Sequence, residues 1–77
     1  MNNIIRMNEI DVSRKATVKS IDACGEIRRR LMDMGLVENT QIECVGKSPL
    51  GDPKAYLICG AVVAIRAADC RGITVEL

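Results

Sequence analysis

The segment Arg28-Arg29-Arg30-Leu31-Met32-Asp33-Met34-Gly35-Leu36 predicts a short helix that ends at a glycine. Ile27, Leu31 and Met34 are spaced i, i+4 and i+7, which places them on one apolar stripe. Gly35 suits the left-handed residue that closes a helix, and Leu36 can then pack back on the last turn. A helix of about ten residues is marginal by itself, so we expect a sheet beneath it.

A second segment, Pro49-Leu50-Gly51-Asp52-Pro53, predicts a stiff polar turn between strands because its prolines fix φ. Asp33 and Asp52 could be considered as a carboxylate pair. However, Asp33 is at a helix end and Asp52 is in a Gly-Asp-Pro turn, where capping and turn chemistry account for such residues. The chain also has no histidine and no glycine-rich phosphate loop. We therefore do not predict an enzyme.

Short runs of β-branched and alternating residues predict five strands. They cover Lys15–Ile21, Gln41–Val45, Tyr56–Cys59, Val62–Arg66 and Ile73–Glu76. Met7 and Ile10 are expected to pack from a short turn before the first strand. Five strands and one helix without a βαβ repeat predict an all-β fold with one short helix. The expected architecture is a small antiparallel barrel forming a single domain over residues 1–77.

Composition excludes several classes of function. The chain has 77 residues, 48% of them hydrophobic and 27% charged, which is typical of a globular domain. Its net charge is +1 and Tyr56 is its only aromatic residue, so general nucleic-acid binding is disfavoured. The longest uncharged run, Ala55–Ile65, is far short of the ~20 apolar residues that span a bilayer. The first residues lack a signal-peptide pattern, so we expect a cytoplasmic protein that does not itself span a membrane.

The four cysteines contain no C-x-x-C pair, which disfavours a structural zinc site. Cysteines that fill the core are the simpler interpretation. Cys59 and Cys70 are the thiols we expect to be exposed. They are weak candidates for binding a transition metal such as Fe²⁺ or Zn²⁺, with Asp or Glu as further ligands.

Two surfaces are candidates for binding a partner. Arg28, Arg29 and Arg30 could dock on an acidic surface or reach a phosphate, or they could simply be a solvated helix face. In the third and fourth strands, the alternation predicts an apolar outer face. The inward residues would be Tyr56, Ile58, Val63 and Ile65, and the outward residues Leu57, Cys59, Val62 and Ala64.

That outer face has two other interpretations. Ile4 and Ile5 of the N-terminal arm could cover it. The register could also be shifted by one residue, which would exchange the two faces.

Taken together in this order, the two segments resemble the ferrous iron transport protein A (FeoA) family. The family has a helix of the form R-R-L-x-D-x-G-L, followed by a turn, a strand, an A-P-L-G-D-P-like loop, a hairpin and a closing strand. The counterparts here are Arg29–Leu36 and Ser48–Pro53, and Ala64-Ile65-Arg66 resembles the family's strand ending. The resemblance covers about Met7 to Val75. Its structural motif residues are Leu31, Gly35, Pro49, Gly51, Asp52 and Pro53.

The resemblance implies an SH3-like β-barrel and a small cytosolic accessory role in bacterial ferrous iron uptake. The implied partner is the membrane permease FeoB, whose cytoplasmic GTP-binding domain the family could modulate. Transition-metal binding is also implied by the family. We expect the partner-binding residues to be Arg28, Arg29, Leu57, Cys59 and Val62, and weak self-association is a further expectation.

The alternative function is an SH3-like regulatory module resembling the C-terminal domain of iron-dependent repressors, which would bind a proline-rich or internal peptide. Tyr56 is the only aromatic residue, which disfavours this alternative because proline-rich ligands usually dock in aromatic-lined grooves. The chain also departs from the FeoA family. The family usually has a glycine near Ser13-Arg14 and another at the position of Asn39, and Leu57, Cys59 and Val62 replace residues that are usually polar.

Overall fold

A computed structural model describes residues 3–77 of the chain. It contains six strands, two α-helices and one 3-10 turn. In chain order these are β1 (Ile4–Arg6), the 3-10 turn (Met7–Glu9), β2 (Lys15–Ile21), α1 (Gly25–Asp33), β3 (Gln41–Lys47), β4 (Lys54–Ile58), β5 (Ala61–Ile65), α2 (Ala67–Cys70) and β6 (Ile73–Glu76).

All six strands form one antiparallel sheet in the order β1-β6-β2-β3-β4-β5. The all-β class with one short principal helix is confirmed. The sheet has one strand more than predicted, because Ile4–Arg6 pairs with β6. Ile5 lies opposite Val75 in that pairing. Ile5 packs against the core on the inner face of the sheet, and Ile4 is 51% exposed. The suggestion that Ile4 and Ile5 cover the outer face of the β4–β5 hairpin is therefore wrong.

A single apolar core lies on the inner face of the sheet. Tyr56 is 1% exposed and belongs to this core, as do Met7 and Ile10, which are fully buried as predicted. The remaining members are Ala16, Val18, Leu31, Leu36, Ile42, Cys44, Ile58, Ile65, Cys70, Ile73 and Val75. Branched aliphatic residues and cysteines therefore fill the space that larger aromatic residues occupy in many small domains.

Helix α1 contacts this core mainly through Leu31, which is 1% exposed. Met34, just after the helix, is partly buried and packs against the core. Ile27, Leu31 and Met34 line one groove, as the predicted stripe requires. The core covers only the C-terminal part of the stripe, and Ile27 remains 48% exposed.

The end of α1 is the Schellman arrangement that its sequence predicted. Gly35 has φ of +94°, and its N–H donates to the carbonyl of Met32 at 2.9 Å. The N–H of Leu36 donates to the carbonyl of Leu31 at 3.0 Å, and Leu36 is fully buried. These two bonds satisfy carbonyls that the helix end would leave unpaired, and they turn the chain back onto the core.

Ser13 and Asn39, at or beside positions where the FeoA family usually has glycine, both have positive φ. The values are 77° for Ser13 and 71° for Asn39. Asparagine tolerates this region better than serine does, because its short amide bonds locally to the backbone. The backbone geometry is therefore present without the glycines.

Candidate partner-binding surface

The outer face of the β4–β5 hairpin has the orientation that the alternation predicted. Tyr56, Ile58 and Ile65 are buried on the inner side. Leu57 and Val62 lie opposite each other across the two strands, on the outer side. Val62 is 65% exposed, whereas Leu57 is half-buried. We call Leu57, Cys59 and Val62 the outer patch.

The outer patch has charged residues at its border. A shallow groove beside Leu57 is lined by Glu43 and Lys15 as well as Cys59 and Gly60. Glu43 is the cross-strand partner of Leu57 on β3 and also the partner of Lys15 on β2. One acidic and one basic side chain therefore flank the apolar residues, an arrangement typical of the rim of a contact surface.

Cys59 is at the hairpin turn, where it and Gly60 both have positive φ, 50° and 84°. A two-residue turn of this kind matches the twist of the flanking strands. The Cys59 thiol is exposed and lies 3.9 Å from the carbonyl oxygen of Gly35. The hairpin turn therefore packs on the end of α1, which fixes the outer patch relative to the helix.

The arginine segment does not form one basic patch with the outer patch. Arg28 donates from Nη1 to the carbonyl oxygen of Ile21 at 3.0 Å, which ties α1 to the end of β2. Arg29 and Arg30 are both exposed, and Arg30 also lines a groove with Met34 and Asp69. Successive helical residues point in different directions. The three guanidinium groups are thus divided between a structural bond, solvent and a groove.

Cys70 does not fit the role predicted for it. Its side chain is fully buried, so the expectation of an exposed thiol is wrong, whereas Cys59 is exposed as expected. Burial raises the pKa of the Cys70 thiol from 9.0 to about 11, because the thiolate would be poorly solvated. Burial also raises the pKa of the neighbouring Tyr56 phenol well above its usual value.

The donor groups do not fit a transition-metal centre. Within residues 3–77, no three His, Cys, Asp or Glu side chains are grouped where they could hold a metal ion. Cys70 is also fully buried, so its thiol is not available at the surface. The donor side chains of residues 3–77 therefore do not form a grouped set that fits the metal binding implied by the family resemblance.

The Pro49–Pro53 loop has a structural role. Ser48 donates from Oγ to the Asp52 carbonyl oxygen at 2.7 Å, and Gly51 N–H donates to the Ser48 carbonyl at 2.8 Å. The Asp52 carboxylate Oδ1 accepts a bond from the N–H of Ala67 at 2.8 Å. Ala67 is the first residue of α2, so Asp52 caps that helix from a distant loop. This bond supports the prediction that Asp52 is structural.

Sequence reasoning missed the groove beside β5. Its lining residues come from the end of α1, from β5 and from the start of α2. They include Arg30, Met34, Val63, Arg66 and Asp69. The only signal in the sequence was the distribution of charge around the apolar run Ala61–Ile65. That residues near the end of α1 and in α2 line a groove with this strand could not be inferred from it.

The FeoA domain family model matches residues 5–77. The chain belongs to the FeoA family. This assignment accounts for the helix, loop and strand motifs that are found here in order, and it links the chain to ferrous iron transport. In the described residues, no helix has the length and apolar character needed to cross a membrane.

Two relatives of this FeoA domain are similar to it over nearly its whole length. The chain is 33% identical over 73 residues to a Porphyromonas gingivalis Fe(2+) transport protein A/Fe(2+) transporter FeoB fusion protein. The match covers 95% of this chain but only 9% of the fusion protein. The solution structure of a Clostridium acetobutylicum FeoA-like protein superposes with a TM-score of 0.89 at 36% identity, covering 100% of this chain and 90% of that one.

Structures with lower sequence identity to this FeoA domain support its fold and nothing more. A Stenotrophomonas maltophilia FeoA, described as a procaryotic SH3 domain protein complexed with zinc, has a TM-score of 0.81 at 24% identity and covers 92% of this chain and 88% of that one. T. acidophilum IdeR has a TM-score of 0.84 at 19% identity and covers 96% of this chain and 34% of that one. The predicted SH3-like fold is confirmed.

Proposed function

We propose that this protein is a small accessory of ferrous iron transport that acts in the cytoplasm by binding the permease FeoB. The observation that carries the proposal is the Porphyromonas gingivalis fusion protein, in which one polypeptide combines a relative of this chain with FeoB. Fusion of two domains raises their effective concentration, which is useful when the separate chains must bind each other. Recruitment to the inner face of the membrane follows from the location of the permease.

The outer patch is the proposed contact surface. Val62 is 65% exposed, and the pair Leu57 and Val62 forms an apolar centre bordered by Glu43 and Lys15. An apolar centre with a polar rim is the usual anatomy of a protein interface. Arg29 is a second proposed contact because it is exposed and its position on α1 leaves it able to meet an acidic side chain. Arg28 also remains a proposed contact, although its guanidinium already bonds to Ile21.

We do not propose a catalytic role. Of the two carboxylates considered as a pair, Asp33 ends helix α1 and Asp52 caps helix α2. Modulation of the GTP-binding domain by binding is part of the proposal, because a domain that binds one state of a switch more tightly shifts its population. Weak self-association is also part of the proposed behaviour.

Co-purification with FeoB of the same organism tests the proposal. The immobilised permease in detergent should retain the wild-type chain and lose most of the Val62→Asp variant. Leu50→Asp is the matched control, because Leu50 is 95% exposed in a different loop and the same substitution is made there. Arg29→Glu tests the second contact. Retention of Val62→Asp and Arg29→Glu at the wild-type level would reject the surface, and failure of the wild-type chain to bind would reject the function.

The regulatory peptide-binding module remains the alternative function. Its support is the likeness of fold to IdeR, which at 19% identity says nothing about ligands. The same co-purification experiment distinguishes the accessory role from the peptide-binding module. A repressor-like module would not bind the permease and would bind a proline-rich peptide instead.

A further inference from the structure

Strand β5 is an edge of the sheet that lacks the usual protection against pairing. Its five residues, Ala61 to Ile65, include no charged residue and no proline. Natural edge strands are usually kept short or interrupted by charges, prolines or bulges. The other edge, β1, follows that pattern because it has three residues and ends in Arg6.

The register defines which backbone groups of β5 are available. Ile58 and Ala61 flank the two-residue turn, so they form a hydrogen-bonded pair with each other. Hydrogen-bonded and non-hydrogen-bonded pairs alternate along an antiparallel ladder. Tyr56–Val63 is therefore bonded, whereas Leu57–Val62 and Ala55–Ala64 are not. It follows that the N–H and C=O groups of Val62 and Ala64 point away from β4, toward the open edge.

This edge is complementary to itself. If a second copy pairs antiparallel about a two-fold axis at Val63, Val62 lies opposite Ala64 of the other copy, and the reverse pair is identical. All four outward backbone groups of each strand are then used. Arg66 lies opposite Gly60 of the other copy, so no like charges oppose each other along the strand. An isologous contact of this kind closes as a dimer.

A groove adjoins β5 on the side of Val63. Val63 is half-buried and faces a groove whose other walls include Arg30, Met34 and Arg66. In the two-fold arrangement the Val63 side chains of the two copies meet over this groove and cover each other. Val62 and Ala64 are both exposed on the opposite face.

We propose that β5 pairs with β5 of a second copy to give a weak dimer with a continuous twelve-stranded antiparallel sheet. A contact made by one five-residue strand from each copy buries less than the ~1,200 Å² of a stable interface. The dimer therefore forms only at high protein concentration, between about 10 µM and 1 mM. The proposal is independent of the permease, because it rests on the strand register and the charges of this chain alone.

Sedimentation velocity of the full chain from about 10 µM to 1 mM tests the pairing. Three proteins are compared: wild type, V62K/A64K and V62K/A64E. In the proposed register V62K/A64K places lysine opposite lysine in both pairs, and V62K/A64E places lysine opposite glutamate. Cross-strand charge pairs change stability in these directions. We expect the association constant to fall about tenfold in V62K/A64K and to recover in V62K/A64E.

Each other outcome overturns the proposal. A wild-type chain that remains monomeric at 1 mM excludes the dimer. Association that is unchanged in V62K/A64K, or that does not recover in V62K/A64E, assigns the contact to another surface or register. Amide shifts at Val62 and Ala64 that arise only when the permease is added, and not when the chain is concentrated, assign the edge to the permease. Circular dichroism of the variants serves as the control and should show that these exposed substitutions leave the fold intact.

Discussion

Gly35 lies directly against Cys59, so that a Cβ atom at residue 35 would come within 2.9 Å of the Cys59 sulfur. The contact joins the end of α1 to the β4–β5 turn, and the Gly35 carbonyl is also 3.9 Å from the same sulfur. Gly35 is therefore favoured by its φ of +94°, and a Cβ atom there would also require the Cys59 side chain to move. The outer patch depends on this contact for its position.

We predict that Gly35→Ala lowers the free energy of unfolding by about 2–4 kcal/mol, because backbone strain adds to overpacking. Gly25→Ala is the matched control. Gly25 also has positive φ, +64°, but nothing lies within 4 Å of its added Cβ, so only the backbone cost of about 1–2 kcal/mol applies. Urea denaturation measures both. Equal losses would show that the Gly35–Cys59 contact is unimportant.

Asp52→Ala is predicted to destabilise the fold by about 1 kcal/mol, because Ala67 N–H loses its acceptor at the start of α2. Asp52→Asn keeps an oxygen at that position and should lose less. Hydrogen exchange of the Ala67 amide should accelerate in the alanine variant and change little in the asparagine variant. Exchange that is the same in both variants as in wild type would contradict the capping role.

Lys54 anchors the 3-10 turn to the sheet. Its ammonium group donates to the carbonyl oxygens of Asn8 at 2.9 Å and Ile10 at 2.8 Å. We predict that Lys54→Met costs about 1–3 kcal/mol, because the partly buried carbonyls lose a charged donor. Lys47, which is exposed and lies opposite Lys54 in the β3–β4 pairing, provides the control Lys47→Met. A similar loss in both variants would count against the anchor.

Stability should fall at alkaline pH because of Cys70. Its pKa is 9.0 in the unfolded chain and about 11 in the folded one, so the unfolded state loses its proton first as the pH rises. The contribution is complete below pH 9 and is lost between pH 9 and 11, amounting to about 2–3 kcal/mol. Denaturation at pH 8 and pH 10 should show about half of this loss, because pH 10 lies midway between the two pKa values. Cys70→Ala should show a smaller decline, and an equal decline would assign the effect to other groups.

Local motifs predicted much of this fold, whereas contacts between distant segments could not be predicted. Gly35 and Leu36 carry a complete helix-ending signal within a few residues, and the alternation around Tyr56 defined the two faces of the hairpin. β1 was missed because three residues carry little pattern and pair with the other end of the chain.

The candidate site was predicted less completely than the fold. The alternation predicted that Leu57 and Val62 lie on the outer face of the hairpin. It could not predict how exposed each side chain is, because exposure depends on the packing of neighbouring elements. The expected exposure of Cys70 was wrong because the residue lies on α2, and its burial depends on how α2 packs against the core. The Asp52–Ala67 bond joins residues 15 apart in sequence and has no local signal.

Titration of the isotopically labelled chain with the cytoplasmic domains of FeoB, followed by amide chemical shifts, tests the central claim most directly. Binding through the outer patch predicts shifts centred on Leu57, Cys59 and Val62 and on the bordering Glu43, and it predicts that Val62→Asp weakens binding about tenfold or more while Leu50→Asp does not. Spectra that remain unchanged at saturating permease domain, or shifts confined to surfaces away from the β4–β5 hairpin, would contradict it.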